Sequence, residues 1–252
     1  MVLASSYCEP KGEKPATSAL WPWIEQPLCR DFLAALLAAY GAGCFSLAYL
    51  GEWSAAVGGS IAILVAFGGF ALQVTVAGSE GHDIGLAVPA IVLAVIATIA
   101  AATLYLSFKT KHAATRSAPS TLLTVFRIFA PILCCVGIAL LLGAHAVLPW
   151  SLSAQTRLLV GWILIGFAAN YAYTSLAGSW AGVRVLLAGL LSYDLVILIP
   201  LLLHFGPVEP EYRLTLIINL VVVAMTACLA IFYLFVNTEP AERSPERVRM
   251  ER

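Results

Sequence analysis

The chain has 252 residues, of which 61% are hydrophobic and 11% are charged, whereas about 25% of the residues in a typical soluble domain are charged. This composition excludes a soluble globular protein. The 14 basic and 14 acidic residues cancel, and the sequence has no basic stripe with interleaved aromatic side chains, so it also excludes a nucleic-acid partner.

The chain opens with an extramembrane segment, residues 1–30, in which Trp21 and Trp23 stand where an aromatic belt meets the membrane surface. Seven apolar runs follow over 31–236, each near the ~20 residues that cross a hydrocarbon core about 30 Å thick. Residues 237–252 are too charged to bury a face and are predicted to form a solvated tail. The runs are approximately 31–50, 55–77, 85–108, 121–147, 157–177, 182–205 and 212–236. The sequence therefore predicts an all-α, multi-pass integral membrane protein with seven transmembrane helices in a lipid bilayer.

The positions of Lys and Arg predict the orientation, because the membrane side that retains them is usually cytoplasmic. With seven spans, the basic residues after span three, at the start of span six and in the tail all fall on one side. They are Lys109, Lys111, Arg116, Arg184, Arg243, Arg247, Arg249 and Arg252. The leading segment, with Lys11, Lys14 and Arg30, dilutes this bias. We expect the N-terminus outside and the C-terminus inside.

An internal repeat is a second organising feature of the sequence. When the sequence is aligned with itself at one fixed, ungapped shift, Gly51 matches Gly178 and Trp53 matches Trp180. We call this shift the repeat offset. The same shift lays spans one, two and three on spans five, six and seven. This favours a three-plus-one-plus-three duplication, with chance similarity between apolar helices as the alternative. Parallel repeats of this kind place a binding site near the membrane midplane in transporters.

One carboxylate, Asp194, lies near the middle of span six, about 18 Å from the start of the span. A charge at this depth costs roughly 3 kcal/mol or more, so such a residue normally faces a protein interior or a water-filled cavity. It is the only acidic residue well inside a predicted span. We therefore take Asp194 as the candidate proton carrier, cation ligand or counter-ion, with a structural role as the alternative.

Five other polar side chains at membrane depth are assigned to the same ligand or ion pathway. They are Asn170, Asn219, Gln73, Tyr171 and Tyr193. The alternative for each is a hydrogen bond between helices, worth about 0.6 kcal/mol on average.

The sequence offers little support for an enzyme or a metal site. It contains no HExxH, GxSxG or phosphate-binding glycine loop. None of the six cysteines forms a CxxC pair or stands at a metal-ligand spacing with a histidine. Enzymatic function therefore ranks third among the interpretations, and neither a metal nor a cofactor is expected.

Three segments resemble the microbial (type 1) rhodopsins, a family of seven-helix proteins with the N-terminus outside. The segment HDIGLAVPAIVLAV places Asp83 and Pro89 at the spacing of that family's acidic counter-ion and proline. LLSYDLVILI is similar to its sixth-helix aromatic segment, and EYRLTLIINLVVVAM lies on the seventh helix with Asn219 at the acidic position. Val223 replaces the retinal-binding lysine, and all four lysines of the chain lie outside the spans or at their edge. The resemblance thus implies an opsin-like plan without covalent retinal.

A second resemblance is to the Bax-inhibitor-like channels. The residues SYDL around Asp194, and EPEY leading into LIINL, are similar to the last two helices of that family. Those channels carry two acidic residues on adjacent helices, and here an apolar residue near Leu216 stands at the second position, so a calcium leak is not implied.

Taken together, the sequence predicts a bundle that binds or translocates a small solute, an ion or a proton through an interior centred on Asp194. The competing interpretation is a non-catalytic structural or accessory subunit of a larger membrane complex. Homo-oligomers or other membrane partners are compatible with both interpretations.

Overall fold

The computed structural model describes residues 27–51, 53–79, 87–109, 116–144, 148, 152–203 and 213–236. Within these ranges the chain is helical, with seven helices long and apolar enough to cross a membrane. This confirms the predicted all-helical, seven-span architecture. The helices are α1 (Pro27–Leu50), α2 (56–79), α3 (Ala87–Lys109), α4 (Ser120–Leu141), α5 (Ala154–Ala177), α6 (Trp180–Leu203) and α7 (Arg213–Val236).

Several predicted features lie outside the described residues. They are most of the leading segment 1–30, the tail 237–252, and Asp83 of the rhodopsin-like segment. The predicted orientation rests largely on those segments and stays a prediction. The described basic residues Lys109, Arg116 and Arg184 do lie at one end of the bundle, which we call the basic end, and their side chains are exposed.

Backbone features set the helix ends. α4 stops at Leu141, earlier than predicted, because Gly143 adopts a left-handed φ of +94° and the amide of Ala144 donates to the carbonyl of Ala139 at 2.9 Å. α5 starts after Ser153, whose hydroxyl accepts from the amide of Thr156 at 3.3 Å. α2 contains a π-helical segment, Leu64–Gly68, and α7 ends in another, Phe232–Val236.

Three helices organise the packing of the other four. α5 packs along α4 and α2, α6 packs along α1 and α7, and α2 also packs along α3. Two apolar clusters fill the interior at opposite ends of the bundle. The cluster at the end where α1 begins, which we call the amino-end cluster, includes Phe32, Leu36, Phe70, Val160 and Ile197. The cluster at the basic end, which we call the basic-end cluster, includes Leu122, Phe126, Val183, Leu187 and Ala230.

Helix contacts recur at the repeat offset that the sequence shows. A Cβ atom on Gly166 would lie 2.5 Å from the carbonyl oxygen of Ala62, and a Cβ atom on Gly189 would lie 3.0 Å from that of Ala39. The repeat offset aligns Ala39 with Gly166 and Ala62 with Gly189. The Gly166–Ala62 contact therefore corresponds to the Ala39–Gly189 contact, and the α2–α5 and α1–α6 crossings are equivalent. A side chain at Gly166 would force the α2–α5 crossing apart, and one at Gly189 would make an unusually tight contact at the α1–α6 crossing.

The repeat offset also relates two helix ends and brings together two stacked rings. Gly51 and Gly178 both close their helices in the left-handed region, with φ of 66° and 63°. Tyr40 and Phe167 are also equivalent under the repeat offset, and their rings stack with centroids 4.9 Å apart. Two equivalent residues touch in this way when they lie beside a two-fold axis. These correspondences support two parallel three-helix repeats joined by α4.

Candidate functional site

Asp194 lies in the interior of the bundle, with 1% of its surface exposed. It stands on α6 between Leu187 of the basic-end cluster and Ile197 of the amino-end cluster. The carboxyl group therefore interrupts an apolar core about halfway along the helix. Burying an ionised carboxylate without compensation costs several kcal/mol or more, so the polar atoms around Asp194 decide what it does.

Thr226 of α7 supplies the hydrogen bond that holds Asp194. The two side chains approach at 3.0 Å between Thr226 Oγ1 and Asp194 Oδ1. Thr226 Oγ1 also lies 2.8 Å from the carbonyl oxygen of Val222 and 3.1 Å from that of Val223. The second carboxyl oxygen, Asp194 Oδ2, is buried and has no hydrogen-bond partner among the described residues. Only one of the two carboxyl oxygens is thus held by another helix.

Two of the predicted pathway residues lie beside Asp194. Tyr171 on α5 is buried, Tyr193 on α6 is half-buried, and both lie close enough to Asp194 to interact with its charge. The Tyr171 ring packs edge-on against Phe126 with centroids 5.2 Å apart, and the Tyr193 ring packs edge-on against Phe32 at 6.2 Å. These aromatic contacts hold each tyrosine ring against a neighbouring helix.

The three predicted amide side chains make their hydrogen bonds elsewhere. Asn170 accepts from Thr174 at 3.2 Å and lies against Gly58 of α2. Gln73 accepts from the Trp162 indole at 2.6 Å, which joins α2 to α5. Asn219 donates to the carbonyl oxygen of Thr215 in its own helix at 2.9 Å. Of the three, only Gln73 makes the hydrogen bond between helices that the sequence left as the alternative, because Asn170 and Asn219 bond within their own helices.

Two residues that the sequence reasoning missed have polar atoms in this interior. Thr226 could have been found from depth alone, because it lies about halfway along α7 (Arg213–Val236) as Asp194 does along α6 (Trp180–Leu203). Neighbouring antiparallel spans bring such positions together. Tyr40 of α1 lies at the pseudo-two-fold axis, and its hydroxyl is buried with no partner among the described residues. Tyr40 also lies about halfway along its helix (Pro27–Leu50), so the same depth argument applies to it.

The charges and potential metal ligands around the site are few. In the described part of the chain, no three His, Cys, Asp or Glu side chains come together to hold a metal ion. The basic residues of the helices that surround Asp194 lie toward helix ends: Arg30 of α1, Arg157 of α5, Arg184 of α6 and Arg213 of α7. An ionised Asp194 therefore depends on hydroxyl donors.

Comparison of the chain with protein-family models, with curated proteins and with solved structures finds no match. Function is accordingly inferred from the residues of this chain.

Proposed function

We propose that this polytopic membrane protein binds or translocates a small solute, an ion or a proton at Asp194, in the interior of the bundle. The observation that carries the proposal is the buried oxygen Asp194 Oδ2, which has no hydrogen-bond partner among the described residues. A carboxyl group that served packing alone would be expected to have both oxygens satisfied, because an unsatisfied buried polar atom costs about 1–3 kcal/mol.

Two further features support a ligand in this interior. The Tyr40 hydroxyl is a second buried polar atom without a described partner, and it lies at the axis that relates the two halves. In transporters built from repeats, the site lies at the repeat interface near the midplane. Asp194 meets the depth condition, since it is midway along α6, and its neighbours Tyr171 and Thr226 come from α5 and α7 of the same repeat.

The opsin-like plan without covalent retinal belongs to the same proposal. Val223 stands where the resemblance puts the retinal-binding lysine, and it is buried, with its carbonyl oxygen 3.1 Å from Thr226 Oγ1. The position that faces the chromophore in that family would thus face the Asp194 site here, with an apolar side chain.

An accessory subunit is the competing proposal, and the three amide side chains favour it. Asn170 and Gln73 serve contacts at the α2–α5 interface, and Asn219 bonds to its own helix. This proposal requires that Asp194 also serves only packing, so the two proposals differ in the consequence of removing the Asp194 charge.

The test is flux across liposomes that contain the purified protein, measured for protons, alkali cations and a panel of small solutes. Asp194→Asn keeps the size of the side chain but removes the charge and replaces one acceptor oxygen with an amide donor. We expect a conducted species in the wild type and a fall to the level of protein-free liposomes in Asp194→Asn, with helix content and elution volume preserved.

Thr98→Val is the matched control, because Thr98 is an exposed mid-span residue whose hydroxyl bonds only to the carbonyl of Ala94 among the described residues. Its flux should equal that of the wild type. A folded Asp194→Asn protein with unchanged flux would contradict the proposal and favour the accessory subunit.

A further inference from the structure

We infer that the ligand of the Asp194 site is a proton and that Thr226 is a positioning residue, whose hydroxyl reverses its hydrogen bond when the proton binds or leaves. The inference rests on the proposed function, because it names the ligand class of the same site. It is carried by the oxygen atoms around Thr226 Oγ1 and by the number of hydrogens they share.

The Thr226 hydroxyl has one hydrogen and three acceptors within bonding distance. They are Asp194 Oδ1 at 3.0 Å, the Val222 carbonyl oxygen at 2.8 Å and the Val223 carbonyl oxygen at 3.1 Å. A hydroxyl group donates one hydrogen bond and accepts up to two. The hydroxyl therefore has two satisfied arrangements, and the state of Asp194 selects between them.

In the ionised state, Thr226 donates to Asp194 Oδ1. When a proton forms an O–H bond at this oxygen, the acid donates to Thr226 Oγ1, and Thr226 turns its hydrogen to the carbonyl oxygen of Val222. Loss of the proton to water breaks the O–H bond and reverses both hydrogen bonds. Only hydrogen atoms need to move, so the same heavy-atom arrangement serves both states of the carboxyl group.

The two carboxyl oxygens have different roles in this exchange. Asp194 Oδ2 has no acceptor among the described residues, so an O–H bond there would leave a buried donor unsatisfied. An O–H bond at Asp194 Oδ1 has Thr226 Oγ1 as its acceptor, so the proton is held on this oxygen. Rotation about the Cβ–Cγ bond exchanges the two oxygens, so a proton that arrives at the unpartnered oxygen can reach the stored position.

A proton fits these oxygen atoms better than a metal cation does. A sodium ion in a transporter is coordinated by carbonyl groups of unwound segments, whereas Val222 and Val223 lie inside the continuous helix Arg213–Ile231. Their carbonyl groups already accept from amides of their own helix. A divalent cation would require several carboxylates, and the described residues hold no such group.

The groups that face Asp194 carry no compensating positive charge. Tyr193 of α6 and Tyr171 of α5 are the titratable neighbours, and Tyr40 of α1 stacks on Phe167 instead. The described part of α2 has no titratable side chain, and Arg213 of α7 lies at the start of its helix. Hydroxyl donors alone therefore stabilise the ionised form, which makes the Thr226 hydrogen bond decisive for the exchange.

The experiment is infrared difference spectroscopy of the reconstituted full chain as pH is varied. The chain has three aspartates, Asp31, Asp83 and Asp194, so Asp31→Asn/Asp83→Asn protein with ¹³C-labelled aspartate reports Asp194 alone. We expect a carboxylic-acid C=O band that disappears as pH rises. Thr226→Val should shift the band to higher frequency because the acid loses its acceptor, and Thr226→Ser should restore the wild-type frequency.

Two results would overturn the inference: a band that responds to sodium or potassium at fixed pH and not to pH, or an identical band in wild type and Thr226→Val. The isotope label identifies the band without an Asp194 variant, so a misfolded Asp194→Asn protein does not remove the test. Sodium-driven flux that needs Asp194, without a titrating band, would leave the proposed function standing. A titrating band that responds to Thr226, with unchanged flux in Asp194→Asn, would instead remove translocation from the proposed function and leave a proton-binding site.

Discussion

At the scale of single residues, depth in the membrane was readable from the sequence, but hydrogen-bond partners were not. Asp194 was predicted because a carboxylate in an apolar run is costly wherever it points. Threonine is tolerated in a span, since its hydroxyl bonds back to its own helix, as in Thr75, Thr98 and Thr103. Thr226 makes the same backbone contact and also reaches Asp194. Nothing in the residue type separates it from the others.

The pair Gly58 and Gly59 tests the packing role assigned to Asn170. A Cβ atom at Gly58 would overlap Asn170 Oδ1 and lie 3.1 Å from Thr174 Oγ1, whereas one at Gly59 would meet nothing within 4 Å. Overpacking costs about 1–3 kcal/mol, and alanine is otherwise favoured over glycine in a helix by about 1 kcal/mol. We expect Gly58→Ala to unfold at lower denaturant concentration and Gly59→Ala to match or exceed the wild type. Equal unfolding midpoints would contradict the assigned contact.

At the scale of helices, the sequence predicted the spans well and their mutual contacts poorly. A span is recognised by about 20 apolar residues. Which side of it faces a neighbour is usually read from amphipathic periodicity. Lipid tails are as apolar as leucine, so lipid-facing and protein-facing sides need not differ in polarity. In α6 the exposed Leu195 and Ile199 are chemically like the buried Ile197 and Leu201.

The two equivalent crossings differ in how closely the helices approach, so we expect different losses of stability when their glycines are replaced. A Cβ atom on Gly166 would lie 2.5 Å from the Ala62 carbonyl oxygen, and one on Gly189 would lie 3.0 Å from the Ala39 carbonyl oxygen. We expect Gly166→Ala to lower stability more than Gly189→Ala, with losses on the order of 1–3 kcal/mol, measured by reversible unfolding in detergent. Gly41→Ala is the control, since a Cβ atom there meets nothing within 4 Å. An unaffected Gly166→Ala protein would show that the crossing is looser than described.

At the scale of the whole molecule, the repeat connects fold to function. The repeat offset recurs in the two glycine crossings, in the left-handed turns at Gly51 and Gly178, and in the Tyr40–Phe167 stack. The halves match at these contacts but differ in chemistry at the site, because the offset places Phe67 opposite Asp194 and Ile99 opposite Thr226. A single polar site therefore belongs to one half of a nearly symmetric bundle.

The most direct test of the central claim, that Asp194 belongs to a functional interior, is the reactivity of a cysteine at that position, because water must reach a site that exchanges a proton or a solute. In a chain whose six native cysteines are replaced, Asp194→Cys should be modified by a small hydrophilic thiol reagent. Leu187→Cys, two turns away in the apolar basic-end cluster and 0% exposed, should stay unmodified. An Asp194→Cys thiol as unreactive as that at position 187, in a protein that remains folded, would contradict the account and leave Asp194 as a packing residue.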